Sequence, residues 1–261
     1  MTRLDTAYEA AVDGAEIARG LFRTELDVET KNSKMDHVTR ADTETQQRVI
    51  ETIRDAYPNA TIVGEEEDEL KSVPEDGNAW VIDPIDGTTN FVRGIQLWTT
   101  TVAAVRDHET VAAVTVAPAL EDTFVADSTG VTLNDEPISV STRTDLDRFT
   151  VAPILRYGPE GDRKFGTLLR ELILQFGDVR RFGCAQATLG MVASGALDAA
   201  VSAQPDPNPW DTIAGIHMVE RAGGSVTDLA GRPWEPGCEG VIASNGNAHD
   251  EVVENVRRAV E

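Results

Sequence analysis

Three groups of acidic side chains in this 261-residue chain are spaced so that they could do chemistry. Glu65, Glu66 and Glu67 follow Ile62-Val63-Gly64, Asp83 and Asp86 flank Pro84-Ile85 in AWVIDPIDGTTNF (79–91), and Asp211 stands in NPWDTIAG. Carboxylates three apart on one side of a tight turn, with the Ile85 carbonyl between them, are the hard oxygen donors that Mg²⁺ takes. Pro84 fixes one backbone angle and removes a donor, which stiffens that turn. Gly87 would let a ligand approach the backbone, and a helix starting at Gly87 or Thr88 would offer free N–H groups to an anion. Cation ligands and a phosphate cradle would then be neighbours.

Each group also has a structural reading. The glutamate run could be a solvated face in so acidic a chain. The Asp-x-x-Asp-Gly unit could be an Asx-type turn with Thr88 capping a helix, and Asp211 could cap the helix at 212–222. Trp210 is core under either reading. An EF-hand calcium loop is excluded, because the acids are at the wrong offsets.

The elements that must position these residues follow from periodicity. Ala11, Ile17, Ala18, Leu21 and Phe22 predict a helix over 5–25, capped by Asp5 or Thr6. A second helix is expected at 41–57, with Ile50, Ile53 and Tyr57 on one face and Pro58 as its stop. Short strands at 61–63 and 79–83 precede two longer β runs, LWTTTVAAV and TVAAVTVAP, and further strands over 122–140. From about residue 148 strands alternate with helices: FTVAPI, a helix at 161–176, VRRF, a helix at 185–195, LDAAVSA, a helix at 209–222, VIAS, and a helix at 247–259. The expectation is an α/β (α+β) protein of two packed halves, 1–145 and 146–261.

Charge narrows the function. There are 45 acids against 23 Lys and Arg, a formal net charge of -22, and such a surface repels nucleic acid and anionic membranes. Self-repulsion of this size is better tolerated where salt screens it, which points to a high-salt cytoplasm. Cys184 and Cys238 form no disulfide framework or metal-type spacing. The first residues carry acids where a signal peptide needs an apolar run, and no stretch is long and apolar enough to span a membrane. A soluble cytoplasmic protein is expected.

The pieces GEEE (64–67), WVIDPIDGTTNF (80–91), GCAQATLGMVASGALDAAV (183–201) and PWDTIAGIHMVERAGGSVTD (209–228) resemble, in order and spacing, the inositol monophosphatase family of Mg²⁺-dependent, lithium-sensitive phosphatases. The resemblance covers nearly the whole chain. It implies an αβαβα sandwich, with Glu65, Asp83, Asp86, Asp211 and the Ile85 carbonyl holding two or three Mg²⁺ that activate a water and stabilise the leaving alkoxide. It implies that Thr88, paired with Asp42, orients and deprotonates the water, with Glu65 also in the catalytic set. Substrate contacts would come from Ile85, Asp86, Gly87, Thr88, Asp211 and a substrate- or interface-side Arg180. Lys31 falls in a loop that resembles the family's metal-capping segment.

The implied substrate is a small phosphate ester, foremost inositol 1-phosphate, with fructose 1,6-bisphosphate as main or dual substrate the alternative. A non-catalytic metal-binding regulatory protein is the third reading. One departure bears on the choice. Where the family usually carries an inositol-binding glutamate, this chain has Gln204 in the proline-rich SAQPDPNPWD. Lithium inhibition and a homodimer are also implied.

Overall fold

The computed structural model describes residues 1–24, 28–30, 37–66, 69–155 and 162–260, with backbone alone at 28–30, 37–39 and 162. The first half runs α1 (Arg3–Leu21), β1 (Val28–Thr30), β2 (His37–Thr39), α2 (Arg40–Ala56), β3 (Ile62–Gly64), β4 (Asn78–Asp86), α3 (Thr88–Val92), β5 (Thr99–Arg106), β6 (Glu109–Ala117), β7 (Asp122–Asp127), β8 (Gly130–Leu133) and β9 (Glu136–Pro137). The second runs β10 (Thr150–Pro153), α4 (Asp162–Gln175), β11 (Asp178–Val179), α5 (Ala185–Ala193), β12 (Ala199–Pro205), α6 (Pro209–Arg221), β13 (Ser225–Thr227), β14 (Glu239–Ser244) and α7 (His249–Val260).

Two mixed sheets carry the fold. The seven-stranded sheet has the order β3-β4-β5-β6-β7-β8-β9, antiparallel except for β3 and β4. The five-stranded sheet has the order β11-β10-β12-β14-β13, with β10 parallel to both its neighbours. Strands β1 and β2 form a separate antiparallel pair.

Side-chain alternation sorts the layers. In β4, Trp80 and Ile82 pack with Ala7, Ala11, Val49 and Ile53 of α1 and α2 on one face. Ala79 and Val81 pack with Leu189 of α5 and Ile213 of α6 on the other. The same inner helices meet Ala200 and Val241 of the five-stranded sheet. The outer face of that sheet is closed by Leu168 and Leu172 of α4 and Val252 and Val256 of α7. The layers are therefore helix, sheet, helix, sheet, helix, as expected.

Several local expectations change. Helix α1 starts earlier, because Thr2 and Asp5 form a reciprocal capping box, and it ends at Leu21. Its buried face is small, Ala7, Ala10, Ala11, Gly14, Ala15 and Ala18, while Ile17 is exposed. VRRF contributes only Val179 to a two-residue edge strand, β11, since two adjacent arginines suit solvent better than a ladder. Strand β4 does not stop at Asp83 but runs through Pro84 to Asp86.

Candidate metal centre and active site

That longer strand explains how the first two acids come together. In a regular strand, residues three apart point to opposite faces. Here Asp83 pairs with Thr101 and Asp86 with Thr99, so β4 uses one residue more than β5 over the same interval. This is a β-bulge. Pro84 has no N–H to give to the ladder, and its carbonyl instead accepts from Thr100 Oγ1 at 2.8 Å. The shift turns Ile85 toward Ala18, Ala41, Phe91 and Trp98 and leaves Asp83 and Asp86 on the inner side. The tight turn expected from the sequence is thus a bulge within a strand.

Asp211 arrives from the helix layer between the sheets. It lies in the first turn of α6, after Pro209, and is not the cap; Asn208 holds that position. Asn208 Nδ2 donates to Asp211 Oδ2 at 3.0 Å, and the helix N-terminus favours a negative charge there. One carboxylate oxygen from each of Asp83, Asp86 and Asp211 lies within 4.8 Å of the other two.

The electrostatics of this triad are unfavourable on their own. Asp83 is 1% exposed, and neither carboxylate oxygen has a hydrogen-bond partner. Burial pushes its pKa well above the usual carboxylate range, and the charges of Glu65, Asp86, Asp211 and Asp42 push it further. Burial also raises Asp86, opposed by hydrogen bonds from the Gln186 and Ala185 N–H groups and the Cys184 thiol. Cys184 Sγ donates to Asp86 Oδ2 at 3.1 Å, and burial with that neighbouring charge holds the thiol well above its ordinary pKa. A hard divalent cation fits this donor set: oxygen ligands only, two of them without a protein partner, in a nest of like charge.

Glu65 lies outside the tight triad, yet it is the largest charge acting on Asp83. Its loop is fixed from two sides. Gln46 of α2 donates through Nε2 to the Glu66 carbonyl at 2.8 Å and accepts from the Glu66 N–H at 3.0 Å. Lys71 Nζ donates to the carbonyls of Gly64, Glu65 and Glu66 at 2.8, 3.1 and 3.4 Å, and sits 5.7 Å from the Trp210 ring centroid. Glu66 is buried, so the run is no solvated face at this position; Glu67 lies outside the described residues.

Asp42 is fully buried in the first turn of α2. Thr88 Oγ1 lies 3.4 Å from Asp42 Oδ1 and 3.1 Å from the Ile85 carbonyl, so its one hydrogen has two acceptors. Thr88 opens α3, and Gly87 precedes it with φ 90°. A Cβ on Gly87 would lie 3.2 Å from Cys184 Cβ, the Gly183 carbonyl and the Leu97 carbonyl. The missing side chain thus admits the 183–184 segment of the chain itself.

Arg180 is exposed and paired with Asp178; it is not among the carboxylates. Lys31 lies outside the described residues. Gln204 is half-buried at the end of β12, its N–H bonded to Ser202 Oγ at 3.1 Å. Sequence reasoning missed Gln46, Lys71, Cys184, Gln186 and Asn208. A signal was there for Gln186: it is the one long polar side chain in the apolar stretch AQATLGMVA.

A five-layered α+β sandwich with a buried acid cluster beside its middle helix layer defines the class: a layered enzyme fold with a candidate metal centre. The chain belongs to the inositol monophosphatase family, whose model matches residues 2–261; it is a phosphoric monoester hydrolase by that membership. It is 34% identical over 238 residues to a Thermotoga maritima protein named fructose-1,6-bisphosphatase/inositol-1-monophosphatase, covering 90% of this chain and 88% of that one. It is 31% identical over 261 residues to the Nus factor SuhB of Escherichia coli, covering 97% and 95%. The solved structure of a Thermotoga maritima IMPase superposes with a TM-score of 0.89 at 31% identity, covering 100% of this chain and 98% of that one. Among the described residues no helix is long and apolar enough to cross a membrane.

Proposed function

We propose that the protein is a Mg²⁺-dependent phosphomonoesterase for a small sugar or cyclitol phosphate, with inositol 1-phosphate as its main substrate. The observation that carries this reading is Asp83, buried with two unpartnered oxygens against Asp86 and Asp211. Asp83, Asp86 and Asp211, with Glu65 and the Ile85 carbonyl, would hold two or three Mg²⁺. Bound Mg²⁺ would supply Lewis acidity and neutralise charge on the phosphate.

The chain's own groups do the rest. Asp42 and Thr88 would pass a proton from the attacking water, Asp42 as the acceptor behind the hydroxyl, a role supported by the 3.4 Å between Thr88 Oγ1 and Asp42 Oδ1. The backbone of Gly87 and Thr88 is assigned to the phosphate. Arg180 is assigned to the substrate or subunit side, where it would exchange its pairing with Asp178. The site draws on both halves, 1–145 and 146–261. We further assign a homodimer, a cytoplasmic location, activity in concentrated salt and inhibition by Li⁺.

A second reading has specific support. Gln204 stands where the resemblance expects an inositol-binding glutamate, and the Thermotoga maritima relative carries both activities in its name. Fructose 1,6-bisphosphate is then a second or main substrate. The Nus factor relative raises a non-catalytic role. The retained acids and the net charge of -22, which opposes contact with RNA, speak against it. The deciding experiment is phosphate release in concentrated KCl from inositol 1-phosphate, fructose 1,6-bisphosphate and adenosine 3′,5′-bisphosphate, with and without Mg²⁺ and Li⁺. The ratio of kcat/KM values selects the branch. No Mg²⁺-dependent release from any of the three would overturn the proposal.

A further inference from the structure

Gln186 is fully buried in the inner helix layer. An amide in such a place is costly unless its donors and acceptor are used, and here they are spent on backbone groups of α6, the helix that carries Asp211. The Gln186 backbone N–H donates to Asp86 Oδ2 at 2.5 Å. Its Nε2 donates to the Trp210 carbonyl at 2.5 Å, and its Oε1 accepts from the Gly215 N–H at 2.8 Å. Trp210 and Gly215 bracket the turn of α6 that carries Asp211. One residue therefore grips a carboxylate on β4 with its backbone and the segment bearing another carboxylate with its side chain.

The contact needs a close approach of the two helices. A Cβ on Gly215 would lie 2.5 Å from Leu189 Cβ and 2.9 Å from Gln186 Oε1. Glycine is what lets α6 come near enough for its N–H to reach the amide. An apolar side chain of the same length would fill the space but hold neither backbone group.

We infer that Gln186 is a positioning residue that sets Asp211 against Asp86, so that metal affinity depends on an amide that touches no metal. The inference rests on the metal-centre reading above. Groups that orient ligands from behind typically change metal affinity by about 10–100-fold.

The test is calorimetric titration of Mg²⁺ into the substrate-free protein, with thermal melts alongside. Gln186→Met keeps the volume and the backbone contact to Asp86 but removes both amide bonds. It should weaken Mg²⁺ binding about tenfold. In an Asp211→Asn background the same change should leave the residual affinity within about twofold, because the side chain acts through Asp211. Leu168→Ala, in the outer core of the five-stranded sheet, should lower the melting temperature and leave Mg²⁺ affinity unchanged, which separates positioning from loss of stability. Should Gln186→Met not fold, Gln186→Asn, too short to hold both groups, is judged by the same tenfold criterion. Wild-type affinity in the folded Gln186 variant, with Asp83→Asn defective, overturns the positioning role alone. Wild-type affinity in Asp83→Asn overturns the metal centre itself.

Discussion

Asp83→Asn should stabilise the metal-free protein and make it blind to Mg²⁺. The carboxyl is buried, both its oxygens are unpartnered, and four other acids act on it. Leaving a buried polar group unsatisfied costs about 1–3 kcal/mol. Asparagine has the same shape without the charge, and its NH₂ can donate to the neighbouring carboxylates, which only accept. The expected gain is about 2 kcal/mol, or about 4 °C at roughly 2 °C per kcal/mol for a chain of this length. The wild type should respond oppositely to metal: at Mg²⁺ near a hundredfold its Kd, binding linkage adds about 2.7 kcal/mol. In EDTA the variant melts higher; in Mg²⁺ the order reverses.

The pH dependence has a definite sign. The folded-state pKa of Asp83 lies above the unfolded value near 3.9, so the native protein holds this proton longer. Its contribution is intact below about pH 4 and is lost as pH rises through the folded pKa. The advantage of the variant in EDTA should therefore shrink toward pH 4 and widen toward neutrality. Paired melts at fixed KCl, in EDTA and in Mg²⁺, make the measurement. A variant that melts lower than the wild type in EDTA, or gains as much from Mg²⁺, refutes the reasoning.

Thr88→Ala should lower kcat by about 100-fold or more while Mg²⁺ affinity, read by calorimetry, stays within about threefold. Equal loss of both would place Thr88 in the metal site instead. His217 is buried, its Nε2 has no partner, and burial with the Arg221 charge lowers its pKa to about 4, against the opposing pull of Asp127. Its stability contribution is whole above about pH 6.5 and is lost as pH falls toward 4, by about 3 kcal/mol; His217→Gln should flatten that acid slope in urea unfolding, and an unchanged slope counts against it. Gly87→Ala should cost about 1–3 kcal/mol, because alanine is strained at φ 90° and would crowd two carbonyls. A melting temperature within about 1 °C of the wild type would contradict that.

The acids were legible in the sequence because their spacing is unusual and their order matches a family pattern. Their geometry was less so. A proline between two aspartates reads as a turn, and only pairing with Thr99 and Thr101 shows that the strand continues with an added residue. The helices and strands were legible from periodicity, and their layering from the family resemblance, except where small residues replace large ones: α1 buries alanines and leaves Ile17 out. The supporting amides were illegible for another reason. Gln46 and Gln186 spend their side chains on backbone groups distant in sequence, and no periodicity encodes such partners. The cap reading of Asp211 needed a helix starting at 212; α6 starts at Pro209, where the 209–222 expectation put it, and Asn208 is the cap.

The charge of the whole chain and the geometry of the site make one argument. A protein with a formal charge of -22 and a phosphate dianion repel each other, and the acid cluster, where Glu65, Asp86, Asp211 and Asp42 all act on Asp83, adds to that repulsion. A site for an anionic substrate made of carboxylates works only if cations invert its sign. The structure prepares for this at a cost it bears without metal: Asp83 buried and unpartnered, its pKa forced upward. It also divides the ligands between β4, which belongs to the seven-stranded sheet, and α6, which packs between the sheets. The triad is complete only when the inner helix layer is seated on that sheet. Metal binding and the docking of that layer should therefore favour each other, since each is stabilised by the geometry the other requires.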